Sequence, residues 1–330
     1  MSGRSSYCCK AFQNADYVGR NDNDASLLTM SLVESEEEIM RSVLQCLLIL
    51  IILAQAGTSG ATPLTPISGF WKNWGDGNAE IAVYELSTMR YGKERKGYAV
   101  AIVVTEPWNL TKNVKSDRNQ GRDIIPALKL NLIRNFQTGV YDYHTMTSAF
   151  VALQSGPKVP AHGALKLSFS AQEWCGHTFE SIRFRPEKSV SLHHSYFESS
   201  VEGSQELPPL PSEDHLWLWA RGFQKQALPA KLLRSSYDAR IHHKALEPIE
   251  QRMNADGRTI TISTSRGDYQ FIRGEQVHSP FDGWQTPWGE KATLLHTQRL
   301  PYWRLNSARG LDDLLDLGLN SVSSRLKRSP

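Results

Sequence analysis

Cysteine is scarce, with four residues in a chain of 330. Cys8, Cys9 and Cys46 fall in the first 56 positions, and only Cys175 follows them. Once the N-terminal part is removed, no internal disulfide is possible and the apolar core must hold the fold. No apolar run reaches the ~20 residues that span a bilayer as a helix. There is no phosphate-binding loop, dinucleotide glycine fingerprint, Gly-x-Ser-x-Gly elbow or His-Glu-x-x-His. Those absences remove the nucleotide, hydride, serine-hydrolase and zinc-protease chemistries that show a local signature. No repeat at a solenoid or propeller period is present. Charge of one sign is lacking too: the formal net charge is +3, with basic and acidic residues interleaved. A nucleic-acid partner, which calls for a dense Lys/Arg stripe, is not expected. The densest basic run, Arg325-Leu326-Lys327-Arg328, reads as a solvated tail.

What is present is an export signal. Arg41 precedes the apolar run 43–53, which is followed by Ala54-Gln55-Ala56 and Gly57. A positive start, a short apolar stretch and a small-x-small cleavage site, in that order, make residues 40–56 a cleavable signal peptide. Cys46 lies inside the apolar run rather than at its end, so a lipoprotein signal is not expected. Translation is expected to start at Met40 or Met30, leaving residues 1–39 as an extension that is disordered or not translated. The mature protein is then periplasmic or extracellular, with no transmembrane span after signal cleavage. Its charge is net +6, because seven of the 34 acidic residues but only four of the 37 basic ones precede Gly57.

Hydrophobic residues make up 40% and charged residues 22%, the balance of a chain with a packed core. Residues 57–69 read as a flexible leader. From there the pattern is strands and turns. Leu128, Leu130 and Leu132 alternate with Lys129 and Asn131, and Leu165, Leu167 and Phe169 alternate with Lys166 and Ser168. This two-residue period predicts half-buried strands. The continuous apolar run 98–104 predicts a central strand buried on both faces. A charged turn is expected at 92–97, between Gly92 and Gly97. Strands without helical crossovers predict antiparallel pairing: one or two curved antiparallel sheets or an incomplete barrel, with a few short helices after an N-terminal signal helix. The Pro- and Ser-rich stretch 199–215 suggests a boundary, giving a β-rich part over 70–205 and a second over 206–330 packed on the first. A short helix is expected around 215–226, and a terminal amphipathic helix on Leu311, Leu314 and Leu315 with a stop at Gly318.

The sharpest chemical constellation is Glu173, Cys175 and His177. A thiol near an imidazole and a carboxylate is the material of a cysteine hydrolase. On a strand, however, residues two apart lie ~6–7 Å apart, beyond a hydrogen bond. Burial of Cys175 as a small hydrophobe ending a core strand, with Gly176 at a bulge, is the competing expectation. The ten histidines include two adjacent pairs, which on a strand point to opposite faces. No metal site and no cofactor are expected. Nine tryptophans are spread along the chain, as core packing requires. Asp282-Gly283-Trp284 and Pro287-Trp288-Gly289 look like loop tips, which makes Trp284 and Trp288 the candidate ligand contacts.

Several segments carry a family resemblance. They include Ala79-Glu80-Ile81, Tyr84-Glu85-Leu86, Arg90-Tyr91-Gly92, Val103-Val104-Thr105-Glu106-Pro107, Asn135-Phe136-Gln137-Thr138-Gly139, the 172–177 constellation and Tyr302-Trp303. Together they resemble an uncharacterised family of exported bacterial envelope proteins over nearly all of residues 70–320. The resemblance implies envelope localisation and no known activity. Some members of that family carry the label of Maf-type septum-formation inhibitors, which are nucleotide pyrophosphatases. Ser307, Arg309, Leu314, Leu315, Leu317, Gly318 and Leu319 look like the N-terminal motif of that enzyme family. Gly310 replaces its second arginine, and the motif opens a whole α/β domain there, whereas eleven residues follow Leu319 here. The pyrophosphatase activity is therefore not carried over. The expectation is a non-catalytic envelope protein that binds a hydrophobic or polymeric ligand or a protein partner. The alternative is a hydrolase built on Cys175 and His177.

Overall fold

The structure is a computed structural model that describes residues 69–306, apart from 199, 201, 222–227 and 277. The signal peptide, residues 57–68 of the flexible leader, the terminal helix and the Ser307–Leu319 motif lie outside the described residues.

A short helix α1 (Phe70–Trp74) leads into β1 (Ala79–Arg90), β2 (Lys93–Asn109), β3 (Val114–Lys115), β4 (Ile124–Thr138) and β5 (Tyr141–Ala152). Then come β6 (Ala164–Glu173), β7 (Gly176–Arg183), β8 (Ser189–Ser195) and β9 (Gly203–Leu207). After a 3₁₀ turn (Glu213–His215) and α2 (Leu216–Trp219), the chain forms β10 (Lys231–Leu233), α3 (Ser236–Ile241), β11 (Pro248–Asp256) and β12 (Thr259–Thr264). It continues through β13 (Gly267–Arg273), β14 (Phe281–Gln285), β15 (Lys291–Leu300) and a 3₁₀ turn (Tyr302–Arg304).

The strands make a single 15-stranded antiparallel sheet in the order β10-β11-β12-β13-β14-β15-β1-β2-β4-β5-β6-β7-β8-β9, with β3 beside β2. Short connections force sequential strands to lie antiparallel, so two meanders result. They are joined where β15 pairs with β1, Ala79 opposite Leu300. Both sides of the 199–215 break thus contribute to the same sheet. The break itself carries the chain from β9 to the far edge, where Ser212 bridges Leu233 and the Leu233 N–H donates to the Pro211 carbonyl at 2.8 Å. The alternating leucines of β4 and β6 are strands as expected, and β2 is buried on both faces over its apolar run. The charged turn expected at 92–97 is instead a two-residue turn at Tyr91-Gly92, and residues 93–97 belong to β2. Gly97 marks a close strand approach, since a Cβ there would sit 2.0 Å from the Asn135 carbonyl oxygen.

The concave interior is filled by the chain itself. Every residue from 212 to 220 is buried, including Glu213, Asp214 and His215. A helix apolar on all sides belongs inside a core. Trp217 meets Tyr269, Phe271 and Trp284 edge-on, at ring separations of 6.0, 5.3 and 6.0 Å. The polar entrance to this plug is held by distant groups. The Glu213 carboxylate accepts from the Ser235 N–H at 2.9 Å and from Arg266. Asp214 accepts from the Ser235 hydroxyl and the Ser236 N–H, both at 2.7 Å. Burial raises the pKa of both carboxyls despite these bonds. His215 stacks on Trp219 at 5.4 Å, and burial lowers its pKa to about 4.

His215 therefore stays neutral in the fold while its unfolded counterpart takes up a proton. Its contribution to stability is present above pH 6.5 and is lost as the pH falls through about 4. Glu213 and Asp214, with raised values, act in the opposite direction. A comparison of urea unfolding in the wild type and His215→Leu isolates the imidazole. Between pH 7 and pH 4 the wild type is expected to lose about 3 kcal/mol more than the variant. Parallel pH curves for the two proteins would show that His215 is not held neutral.

Candidate functional site

Antiparallel meanders bring alternate turns to one end of the sheet. The β1–β2, β4–β5 and β6–β7 turns and the end of β8 therefore lie at the same end, and the C-terminus of α3 reaches it too. Tyr91 and Gly92 both have positive φ, 54° and 69°. Two left-handed residues make the tight turn that matches strand twist, at a backbone cost for a tyrosine. Trp174 and Cys175 form the two-residue loop between Glu173 and Gly176, which pair across the hairpin. A Cβ on Gly176 would come within 2.5 Å of the Tyr196 ring, so the missing side chain lets that ring lie against the hairpin.

The result is an aromatic rim. Trp174, Tyr196 and Tyr91 are 74%, 67% and 58% exposed. Behind them Tyr141 lies 6.4 Å from Trp174 and 5.9 Å from Tyr143, which stacks on Phe136 at 4.9 Å. On the other side Phe197 meets Tyr196 and His243 edge-on at 5.5 and 5.3 Å. Large exposed rings are costly to leave in water, and the three most exposed aromatic side chains among the described residues stand at this end.

Between these rings is a narrow cleft lined by Arg90, Tyr143, Glu173, Thr178, Arg240 and His243, among others, with a cavity volume of about 10 Å³. That is room for about one water molecule. Arg90 dominates its floor. The guanidinium donates to the Ile241 carbonyl at 2.5 Å, to the Tyr143 hydroxyl at 3.1 Å and to the Tyr91 hydroxyl at 3.2 Å. It lies 4.2 Å from the centre of the Tyr91 ring. The two phenols share a further bond at 2.8 Å. Burial works against the Arg90 charge, but the bonds to Tyr143 and Tyr91 outweigh it and hold its pKa above the usual arginine value. Tyr143 is pushed up by burial and by the Tyr91 hydroxyl, and so stays a neutral phenol. Burial, together with the Arg90 charge, lowers the pKa of His243.

The residues singled out from sequence fall in different places. Glu173, Cys175 and His177 sit on the β6–β7 hairpin at this rim. Cys175 is exposed in the loop rather than buried, because a two-residue hairpin turn lifts both loop side chains off the sheet. His177 is exposed opposite Gln172, and among the described residues no hydrogen bond joins Cys175 to His177 or Glu173. Trp284 is not on a loop tip. It is 1% exposed within β14, and its Nε1 donates to Glu290 at 2.8 Å. The preceding Gly283 marks a close strand approach, with Ala292 O at 2.4 Å from a notional Cβ, and not a turn. Trp288 does follow a turn, but its ring folds inward against Tyr269 and Tyr237 at 5.7 and 5.6 Å. Neither tryptophan is part of the rim. Sequence reading missed Arg90, Tyr91 and Tyr143. The one local signal was the Tyr91-Gly92 pair, a turn signature closing the β1 pattern.

No family model matches the chain, and no curated protein does. The chain is similar to the solved structure of a β-barrel-like protein of a domain of unknown function, DUF1849, from Brucella abortus. The two share 12% identity over 67% of this chain and 98% of that one, at a TM-score of 0.37.

A second cleft, at the opposite end, is lined by Trp74, Leu218, Arg221 and His278. Its arginine already holds a carboxylate, with bidentate bonds to Glu80 at 2.5 and 2.8 Å. Among the described residues no group of three or more metal-binding side chains is assembled, and no helix is long and apolar enough to cross a membrane.

Proposed function

We propose that this chain is an exported cell-envelope protein, related to the envelope family it resembles. In this reading it is a non-catalytic binding protein that holds a polymeric ligand across the aromatic end of its sheet. The observation that carries the reading is the exposure of Trp174, Tyr91 and Tyr196 around one polar cleft. A polymer fits better than a small apolar ligand. The interior is occupied by the buried plug, and both clefts are far below the ~300 Å³ of a small-molecule pocket. A chain of repeating units can instead lie over several rings at once.

Trp174→Ala tests the reading. The ring is exposed, so folding stability is expected to change by less than about 0.5 kcal/mol. Co-sedimentation with insoluble polysaccharides (cell-wall sacculi, chitin, calcium polygalacturonate gel) is expected to retain the wild type on at least one polymer. The variant is expected to bind that polymer ~10-fold or more weakly, as for a central aromatic contact. Equal retention of both proteins, or retention of neither, would remove the proposal. Cys175 is expected to react with iodoacetamide without unfolding and without loss of retention, since the thiol is exposed. A hydrolytic activity that disappears in Cys175→Ser would favour the enzyme reading instead. Export has its own readout: protein recovered from the envelope fraction should have a mass beginning at Gly57, and an uncleaved mass would refute it.

A further inference from the structure

Ion pairing around the interior is close to complete, which makes the exceptions informative. Arg134, Arg221, Arg240 and Arg266 each hold a carboxylate. Arg90 does not. Among the described residues no carboxylate oxygen lies within 4.0 Å of its guanidinium, whose partners are two phenols and one backbone carbonyl. Its charge is held by neutral acceptors alone, so an anion brought to it would form a charge-assisted contact with no carboxylate in competition. Glu173 is the complementary exception on the same cleft. Its Oε2 is buried and accepts no hydrogen bond, and no cation lies within 4.0 Å of the carboxylate. The cleft thus presents a cation with no carboxylate partner and a carboxylate oxygen with no donor, which do not pair with each other.

We infer that Arg90 and Glu173 form a subsite for an acidic sugar, with Arg90 taking a ring carboxylate and Glu173 accepting from a ring hydroxyl. This rests on the polymer-binding reading and names its ligand class. The cleft has room for about one water, whose place one oxygen of a sugar carboxylate would take, while the exposed Trp174 ring beside Glu173 offers an apolar face to the sugar. A uronic acid carries the three features on one unit: an anion, donor hydroxyls and an apolar ring face. Glu173 selects against the obvious competitor. A polyphosphate chain has no donor hydroxyl along its length, so Glu173 finds no partner in it, whereas a uronate offers ring hydroxyls beside its carboxylate.

The experiment is titration of purified protein with an oligogalacturonate, a neutral malto-oligosaccharide of equal length and an inorganic polyphosphate. Tryptophan fluorescence and calorimetry read the binding. The wild type is expected to prefer the uronate over the neutral sugar by roughly 10- to 100-fold, the range of a charge-assisted bidentate contact. Arg90→Gln is expected to erase that preference while leaving the weak, Trp174-dependent binding of the neutral sugar. Arg90→Lys should restore only part of it. Glu173→Gln, at the last paired position of the β6–β7 hairpin, is expected to narrow the discrimination against polyphosphate and serves if Arg90→Gln fails to fold. Unchanged uronate preference in a folded Arg90→Gln overturns the inference, as does unchanged discrimination in Glu173→Gln. Polyphosphate binding to the wild type as tight as uronate binding overturns it in favour of a phosphate site. Neutral-sugar binding that depends on Trp174 without any uronate preference overturns the subsite but leaves the polymer-binding reading standing. No saccharide binding at all removes both.

Discussion

Replacing Glu290 by Leu is expected to destabilise the protein by about 3–5 kcal/mol, the cost of stranding a buried charge. Arg134 and Glu290 are 1% and 0% exposed on their side chains and share two hydrogen bonds, at 2.7 and 3.2 Å. Glu290 also takes the Trp284 indole N–H, and Arg134 lies 4.2 Å from the centre of the Tyr237 ring and 5.6 Å from that of Trp217. Removing the carboxylate leaves a guanidinium in the core with rings, one hydroxyl and, beyond contact distance, only the Asp214 charge. The Arg134→Met/Glu290→Leu double variant is expected to recover most of the loss, because an apolar pair of similar volume carries no desolvation penalty. Chemical denaturation of the wild type, both single variants and the double gives the coupling energy directly. A single variant within about 1 kcal/mol of wild type would show that solvent reaches the pair.

The second large effect is expected in the plug. Trp217→Ala removes the ring that Tyr269, Phe271 and Trp284 close upon, and the void cannot collapse because sheet strands line it. The expected loss is about 3–5 kcal/mol, a fall in Tm of roughly 10 °C for a domain of this size. Thermal and urea unfolding measure it. A loss below about 1 kcal/mol would mean that residues 212–220 are not a structural part of the core. The contrast with Trp174→Ala, expected to leave stability unchanged, separates a tryptophan that builds the fold from one that faces outward.

These two tryptophans show how much of the site could be read in advance. Trp174 lies beside Glu173, Cys175 and His177, so the constellation legible in the sequence belongs to the hairpin that carries the exposed ring. The partners that give that hairpin a cleft lie far away in the chain: Arg90, Tyr143 and His243 come from β1, β5 and the turn after α3. Nothing in their local spacing announces convergence. Trp284 and Trp288 misled because a glycine beside an aromatic looks the same whether it makes a turn or a close strand contact. Gly283 is the second kind and Gly289, with φ of 86°, the first.

The sequence by itself determined the antiparallel strands, since side-chain period and short polar turns are local properties that leave little choice of pairing. The leucine alternation in β4 and β6 and the double-sided burial of β2 follow from it. Only the tertiary structure decided where the sheet's interior would be filled and by what. Glu213, Asp214 and His215 are polar and would lie at the surface on local grounds. The two carboxylates are buried because Ser235, Ser236 and Arg266, more than twenty residues away, supply hydrogen bonds that water would have made, while His215 bonds the Ser212 carbonyl. The rim is decided the same way. Curvature of a sheet brings hairpin ends together, and curvature is a property of the packed whole.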